Sequence, residues 1–211
     1  MIKPGETDSH TKEKIFLAAS EIFEEKGYSG ARMQEIADRA GINKALLHYY
    51  FRSKDQLFKA VFIVLLKKMF EKIISILRED LTFKEKIKKF LDEHIEFLIK
   101  NPKLPLFLLN EMSQNPEFSE SISETVRLGD LKTMIYEQHA KELKGYGIKK
   151  SDMSQLMVTI VSFSVFPMAA HGMISVLMPE LRERKKFNQY MRERKEFASG
   201  LLFAALKNRK K

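Results

Sequence analysis

Met33-Gln-Glu-Ile-Ala-Asp-Arg-Ala-Gly-Ile-Asn-Lys-Ala-Leu-Leu-His-Tyr-Tyr-Phe51 reads as two short helices joined by a tight turn. Ile36, Ala37 and Ala40 recur at three- and four-residue steps and give the first helix an inner face. Ala37 is small enough to let a second helix cross close by. Gly41 can take the positive φ that so short a turn needs, because it carries no Cβ. Ile42 plugs the turn into the core and Asn43 can cap the second helix. Leu47, Tyr50 and Phe51 then face inward, which leaves Lys44, Ala45 and His48 outward, with Leu46 and Tyr49 beside them. Between Arg39 and Lys59 five basic side chains stand against one acid, a local field suited to a polyanion. The pattern is that of a helix-turn-helix, whose second helix lies in a DNA major groove.

Outward from that stretch the chain stays helical. A segment from about Thr11 to Lys26 puts Ile15, Ala19, Ile22 and Phe23 on one stripe and stops at Gly27. Ser53-Lys-Asp-Gln56 has capping-box spacing and opens a long helix to about Leu77, with Leu57, Val61, Val64, Leu65, Phe70 and Ile74 inward. Thr82-Phe-Lys-Glu85 repeats the box for a helix ending near Asn101-Pro102, and Pro105 opens a short one through Met112. Asn115-Pro116 starts a helix reaching about Lys144, and Gly145-Tyr-Gly147 breaks it. Ser151 caps a long apolar helix with Pro167 inside, and a last helix covers roughly Glu180 to Leu206. The expected fold is all-α: a three-helix N-terminal head over residues 1–58, then a larger helical bundle, about nine helices, over 59–211.

Thr11, Ile15, Ala18-Ala19, Phe23 and Lys26-Gly27-Tyr28 lead into Met33, Ile36-Ala37 and Ala40-Gly41-Ile42. Lys44, Leu47, Tyr50-Phe51, Ser53-Lys54 and Leu57 then follow without a gap. With these spacings the stretch from Thr11 to Val61 resembles the TetR (tetracycline-repressor) family. The resemblance implies a homodimer on a near-palindromic double-stranded DNA operator, and a body that senses a small hydrophobic inducer. It places Thr11 and Lys54 near phosphates, and Gln34 where it can touch a base. It makes Lys44, Ala45, His48 and Tyr49 the recognition face, with Asn43 at its start. Three departures stand out. Ala31 and Arg32 replace hydroxyl residues that cap the second helix, leaving Ser29 or Gly30 to substitute and Arg32 able to reach a phosphate instead. His48 stands where tyrosine is usual and would hydrogen-bond a phosphate, better when protonated. Leu46 replaces a small or hydroxyl residue and could meet a thymine methyl.

Composition narrows the alternatives. The 211 residues are 44% hydrophobic, enough to bury a core, and 31% charged. With no cysteine there is no disulfide, thiolate metal site or cysteine nucleophile, which fits a reducing cytoplasm. Residues Met1 to Lys14 lack the apolar centre of a secretory signal. Met157 to Met178 is apolar but interrupted by Ser162, Ser164, Pro167, His171, Gly172 and Ser175, and reads as an interface helix rather than a membrane span. The net charge of +9 is concentrated after residue 181, with eleven basic against three acidic residues, so a solvated C-terminal helix explains it and the DNA reading rests on the motif. G-x-S-x-G, a glycine-rich phosphate loop and H-E-x-x-H are missing, and the five histidines lack ligand spacing. No enzyme, metal or cofactor is expected.

The body is rich in Phe and Met, which at helical spacing make core but also line adaptable pockets. Phe97, Phe107, Met112 and Met134, with Phe163 and Phe166, are the expected lining of an inducer pocket. Gln138 supplies polarity there, with Tyr136, His94 and His139 as further candidates. Pro167 cannot donate to the Phe163 carbonyl, which is left for a kink or a ligand. Val158, Val161, Val165, Ala169 and Gly172, with Phe197, Leu201 and Ala205 on the last helix, are spaced for a four-helix dimer interface. The rival is a dimeric regulator or architectural DNA binder with no inducer.

Overall fold

Helix ends in this chain are set by side chains close in sequence, and helix packing by residues far apart. The computed structural model describes residues 4–126 and 128–209, except the side chains of 4–9, 24, 121, 124–126 and 128–130. Among the described residues there are twelve α-helices, two 3-10 turns and no strand. They form two compact units, residues 1–66 and 67–211.

In the first unit α1 (Pro4–Gly30) begins well before Thr11, with Pro4 at its first position, where its missing N–H costs nothing. Gly27 kinks α1 rather than ending it: its φ is 68° and the chain resumes helix to Gly30. α2 (Met33–Ala40), α3 (Lys44–Tyr50) and α4 (Lys54–Arg78) follow. Ile15, Ala19 and Ile22 of α1 are buried with Ile36, Ala37 and Leu47, as the spacing predicts. α4 presents a different stripe from the one expected. Phe58, Phe62 and Leu66 are buried along with Leu57 and Val61, while Val64, Leu65, Phe70 and Ile74 are half-exposed. The aromatic rings explain the rotation: Phe58 lies 4.6 Å from Phe23 and 4.3 Å from Phe62, centroid to centroid.

The second unit is organised by α5 (Phe83–Lys100), which packs on α10 (Met153–Ala169) and α12 (Arg184–Asn208). Thr82 and Glu85 form the expected capping box. One core gathers Phe83, Leu91, Leu156, Ile160 and Phe203; a second gathers Ile95, Leu98, Met168, Phe187 and Met191. Full burial of each such side chain contributes on the order of 1.5–3 kcal/mol. Glu96–Arg192 and Asp92–Lys195 ion pairs rim the α5–α12 seam at 2.7 and 2.9 Å, and the Arg192 guanidinium holds the Glu96 carboxyl below its usual range.

Three expected helices are subdivided. The helix expected over 116–144 contains α7 (Pro116–Val126), α8 (Leu128–Gln138) and α9 (Ala140–Gly145), after α6 (Leu104–Gln114). His139, at φ −117° and ψ 21°, separates α8 from α9. Its Nδ1 pairs with Glu142, whose carboxylate also accepts from the Phe83 backbone N–H at 3.0 Å, so a contact 59 residues away stabilises the break. Ser151 lies in a 3-10 turn (Lys150–Asp152) and caps nothing; Asp152 accepts from the Lys149 N–H instead. The apolar helix ends at Ala169, and α11 (His171–Leu177) follows a break at Ala170. A 3-10 turn (Pro179–Leu181) precedes α12, so the last helix starts later than expected. Lys150–Ala169 is long and apolar enough to cross a membrane by composition, with mean hydropathy 1.2; a third of it is buried in the body.

Pro167 sits inside α10, and the carbonyl it leaves at Phe163 is not offered to a ligand. Arg194 of α12 donates to it through Nε at 2.8 Å and reaches the Tyr190 hydroxyl through Nη1.

Candidate nucleic-acid interface

The turn between α2 and α3 closes on backbone geometry. Gly41 adopts φ 68°, ψ 32°, and its N–H and that of Ile42 reach back to Asp38 and Ala37 carbonyls at 3.1 and 3.0 Å. Asn43 accepts from the Leu46 N–H at 2.7 Å, which fixes the first turn of α3 and commits its side-chain oxygen to the cap. Leu47 then buries completely, and the rest of α3 is oriented by it. Lys44, Ala45, His48 and Tyr49 all face solvent; Tyr49 is 79% exposed. Neither Lys44 nor His48 has a partner among the described residues. Leu46 is half-buried, as is Tyr50, whose ring lies under the Lys12 ammonium at 5.6 Å.

The remaining expected contacts divide. Thr11 is half-buried on α1, and Arg32 is exposed just before α2. No side chain caps α2, and neither Ser29 nor Gly30 substitutes. Gln34 faces outward, with its amide bridged to Asp38 at 2.7 Å. Lys54 departs from expectation: its ammonium spends two donors on the Tyr28 and Ala31 carbonyls, at 2.8 and 3.1 Å, and lies 4.4 Å from the Tyr28 ring. The end of α1 has carbonyls without helical partners, and Lys54 satisfies two carbonyls there. These bonds hold the start of α4 to the end of α1.

Residues not singled out from sequence complete the frame. Arg39 grips Glu25 with both Nη atoms, at 2.6 and 3.1 Å, and Lys26 pairs with Glu35 at 3.0 Å. These pairs tie α2 to α1. The Arg39 guanidinium holds the Glu25 carboxyl below its usual range, and the Lys26 ammonium does so for Glu35. The Tyr28 hydroxyl donates to Asp55, which pushes the phenol up to about 12 and ties the end of α1 to the start of α4. Glu25 and Glu35 are thus paired with cations inside the head, while Lys44 of α3 faces solvent. No local spacing announces these pairs; Lys54 and Ala31 lie 23 residues apart.

In the body the seven expected pocket residues are spread over several helices. Phe97 packs beside the Ile95–Met191 core, and Phe163 beside the Leu91–Phe203 core. Phe107 meets Phe118 edge-on at 6.3 Å, and Met134 is half-buried on α8. Met112 is exposed. Phe166 is exposed too, because it falls at four-residue steps from Val158 and Ser162 on the outward face of α10. Gln138 lines a cleft of about 520 Å³, shared with Lys86, His139 and Glu142. A second cleft of about 330 Å³ lies along Glu71, Ile74, Ser75 and Arg78 of α4. His94 is buried against Ser164, Nδ1 to Oγ 2.8 Å. Of the residues spaced for an interface, Val158, Val161, Gly172, Phe197, Leu201 and Ala205 are exposed; Val165 and Ala169 are half-buried.

Residues 15–61, the segment that builds this head, match the family described as "Bacterial regulatory proteins, tetR family". The head is therefore similar to that of the tetR family. Among curated proteins, the HTH-type transcriptional regulator RutR of Escherichia coli (strain K12) is 31% identical over 133 residues, 63% of this chain and 60% of RutR. The HTH-type transcriptional activator FasR of Mycolicibacterium smegmatis is 50% identical over 48 residues, 23% of this chain and 22% of FasR. The chain thus matches between about a fifth and three fifths of these relatives' length. The fold extends further. A TetR/AcrR-family regulator from Thermobifida fusca superposes with a TM-score of 0.64 at 19% identity, over 89% of this chain and 96% of that one. FadR of Bacillus subtilis, crystallised with stearoyl-CoA, gives 0.59 at 19% identity, over 92% and 98%.

Proposed function

We propose that this chain is a DNA-binding transcriptional regulator that reads a near-palindromic operator as a homodimer. The observation that carries the reading is α3: a capped helix with one buried anchor, Leu47, and Lys44, Ala45, His48 and Tyr49 turned to solvent. Lys44 offers a charge-assisted bond to phosphate, while Ala45, His48 and Tyr49 offer edges and apolar surface to bases. Arg32, Gln34 and Thr11 flank that surface, and Asn43 and Lys54 hold it in place. Two such heads on a two-fold axis match half-sites about 34–36 Å apart.

The activity follows most simply as repression, relieved by a small hydrophobic ligand in the body. Support comes from relatives: the B. subtilis FadR structure contains stearoyl-CoA, and the B. subtilis fatty acid metabolism regulator protein is 26% identical over 115 residues. A ligand that prefers one spacing of the heads over another shifts the population away from the DNA-competent state. The dimer reading draws on the exposed apolar faces of α10 and α12. Work on DNA places the protein in the cytoplasm, and no catalytic role, metal or cofactor is assigned to it.

The test is fluorescence anisotropy of labelled operator DNA, titrated with the protein with and without long-chain acyl-CoA. Tight, salt-dependent binding weakened at least tenfold by the ligand is the expected result. Tight binding that no hydrophobic compound weakens would leave a regulator without an inducer. Binding no tighter than to unrelated DNA would remove the regulator reading itself.

A further inference from the structure

Lys86, in the first turn of α5, is only 6% exposed. Its ammonium donates to the Leu77 carbonyl at 2.6 Å and, more distantly at 3.4 Å, to Oε1 of Gln138. Both acceptors are neutral, and among the described residues Lys86 has no carboxylate partner. A buried ammonium with only neutral acceptors keeps much of its desolvation cost, which a carboxylate beside it would offset through a charge-assisted bond.

His139, at the break between α8 and α9, is a second polar group left incomplete, and it is also 6% exposed. Its Nδ1 meets Glu142 Oε1 at 3.1 Å; a carboxylate only accepts, so Nδ1 carries the proton. In the neutral ring Nε2 is then an acceptor, and it is buried with no hydrogen-bond partner among the described residues. Lys86 and His139 line the same cleft of about 520 Å³, a size that suits a small molecule. Arg78, exposed on the same wall, has no partner among the described residues, and Leu77 and Leu81 give the cleft an apolar side.

Charge decides what kind of anion fits. The wall also carries Glu79, Asp80, Glu85 and Glu142. Glu79 is bound by Lys89, Glu85 by Thr82, and Glu142 by the Phe83 N–H. All four acids are a third or more exposed, so water and salt screen them, whereas Lys86 lies inside. Together they oppose a dianion such as phosphate, while a single carboxylate matches the single buried ammonium.

We propose that this cleft binds a small hydroxy acid. The ligand carboxylate takes the remaining N–H of Lys86, with the Arg78 guanidinium beside it, and the ligand hydroxyl donates to His139 Nε2. The site goes beyond the hydrophobic ligand proposed above. It uses no residue of α3, α10 or α12, so it stands or falls apart from the operator and the dimer.

The test is isothermal titration calorimetry of the full-length protein with mandelate, which joins a carboxylate and a hydroxyl to an apolar ring. Phenylacetate, which lacks the hydroxyl, mandelamide, which lacks the charge, and inorganic phosphate are titrated beside it. Saturable binding of mandelate is expected, with each of the other three at least tenfold weaker. Lys86→Met should weaken mandelate at least tenfold. Arg78→Ala, at an exposed position, should weaken it about fivefold with the melting temperature unchanged, and it decides the matter if Lys86→Met does not fold. No saturation by mandelate, or binding that neither variant weakens, would overturn the site. Mandelamide binding as tightly as mandelate would overturn the carboxylate, and phenylacetate doing so would overturn the bond to His139. Phosphate binding more tightly than mandelate would overturn the hydroxy acid as the ligand class.

Discussion

His94 shows how far one side chain's surroundings can govern stability. Burial pulls its imidazole down from 6.5 to about 4, so the folded protein keeps it neutral where the unfolded chain takes up a proton. Its contribution is therefore fully present above about pH 6.5 and is lost as pH falls toward 4, by about 2 kcal/mol between pH 7 and pH 5. Urea denaturation at those two pH values, on the native chain and His94→Gln, should show the native chain losing about that much more than the variant. Equal losses would mean that His94 takes up its proton in the fold. Lys54 and Lys44 make a second contrast. Lys54→Met should lower the head's stability by about 1–2 kcal/mol, because two carbonyls lose a charged donor, and DNA affinity should fall with it. Lys44→Ala should leave the melting temperature alone and flatten the log affinity against log salt slope by about one. A Lys54→Met protein that melts normally but loses one unit of salt slope would return Lys54 to the phosphate role the family resemblance gives it.

At the scale of elements, what was legible in the sequence is what is local. Gly41, Asn43, Thr82 with Glu85, and Asn115 act on backbone within a few residues, and each does in the structure what its type and spacing predict. The helix-turn-helix was readable for the same reason. The break at His139 has no glycine or proline to mark it and depends on Glu142 reaching the start of α5. Arg39–Glu25 and the Lys54 clasp are likewise products of tertiary packing, invisible to periodicity. Met and Phe spacing in the body could mark core, pocket or interface alike, which is why Phe166, expected in a pocket, lies on the outer face. Pro167 was legible as a helix defect, but its remedy, Arg194, sits 31 residues from the carbonyl it satisfies. Arg194→Met should cost about 1–3 kcal/mol by orphaning the Phe163 carbonyl. In a Pro167→Ala background, where residue 167 regains its N–H, the same change should cost about 1 kcal/mol less. A double-mutant cycle by urea denaturation measures that coupling, and none would mean that Arg194 acts only through its packing and its bond to Tyr190.

For the whole molecule the recognition surface and the apolar faces must work together, since one seven-residue helix per chain reads too little DNA to be selective alone. In the dimer proposed above, the pairing of two heads would turn a degenerate half-site into an operator, and a ligand's effect on the body into a change of spacing on DNA. Net charge does little of this work. The basic excess follows residue 181, whereas the cation aimed outward by α3 is Lys44. The most direct measurement of the central claim is selection of bound duplexes from a random DNA pool by the full-length protein, followed by sequencing of the enriched sites. The expected result is a near-palindrome whose half-sites are one helical turn, or a multiple of it, apart, and whose enrichment is lost with Tyr49→Ala and His48→Ala together. Enrichment of no sequence, or of a single half-site without symmetry, would contradict it.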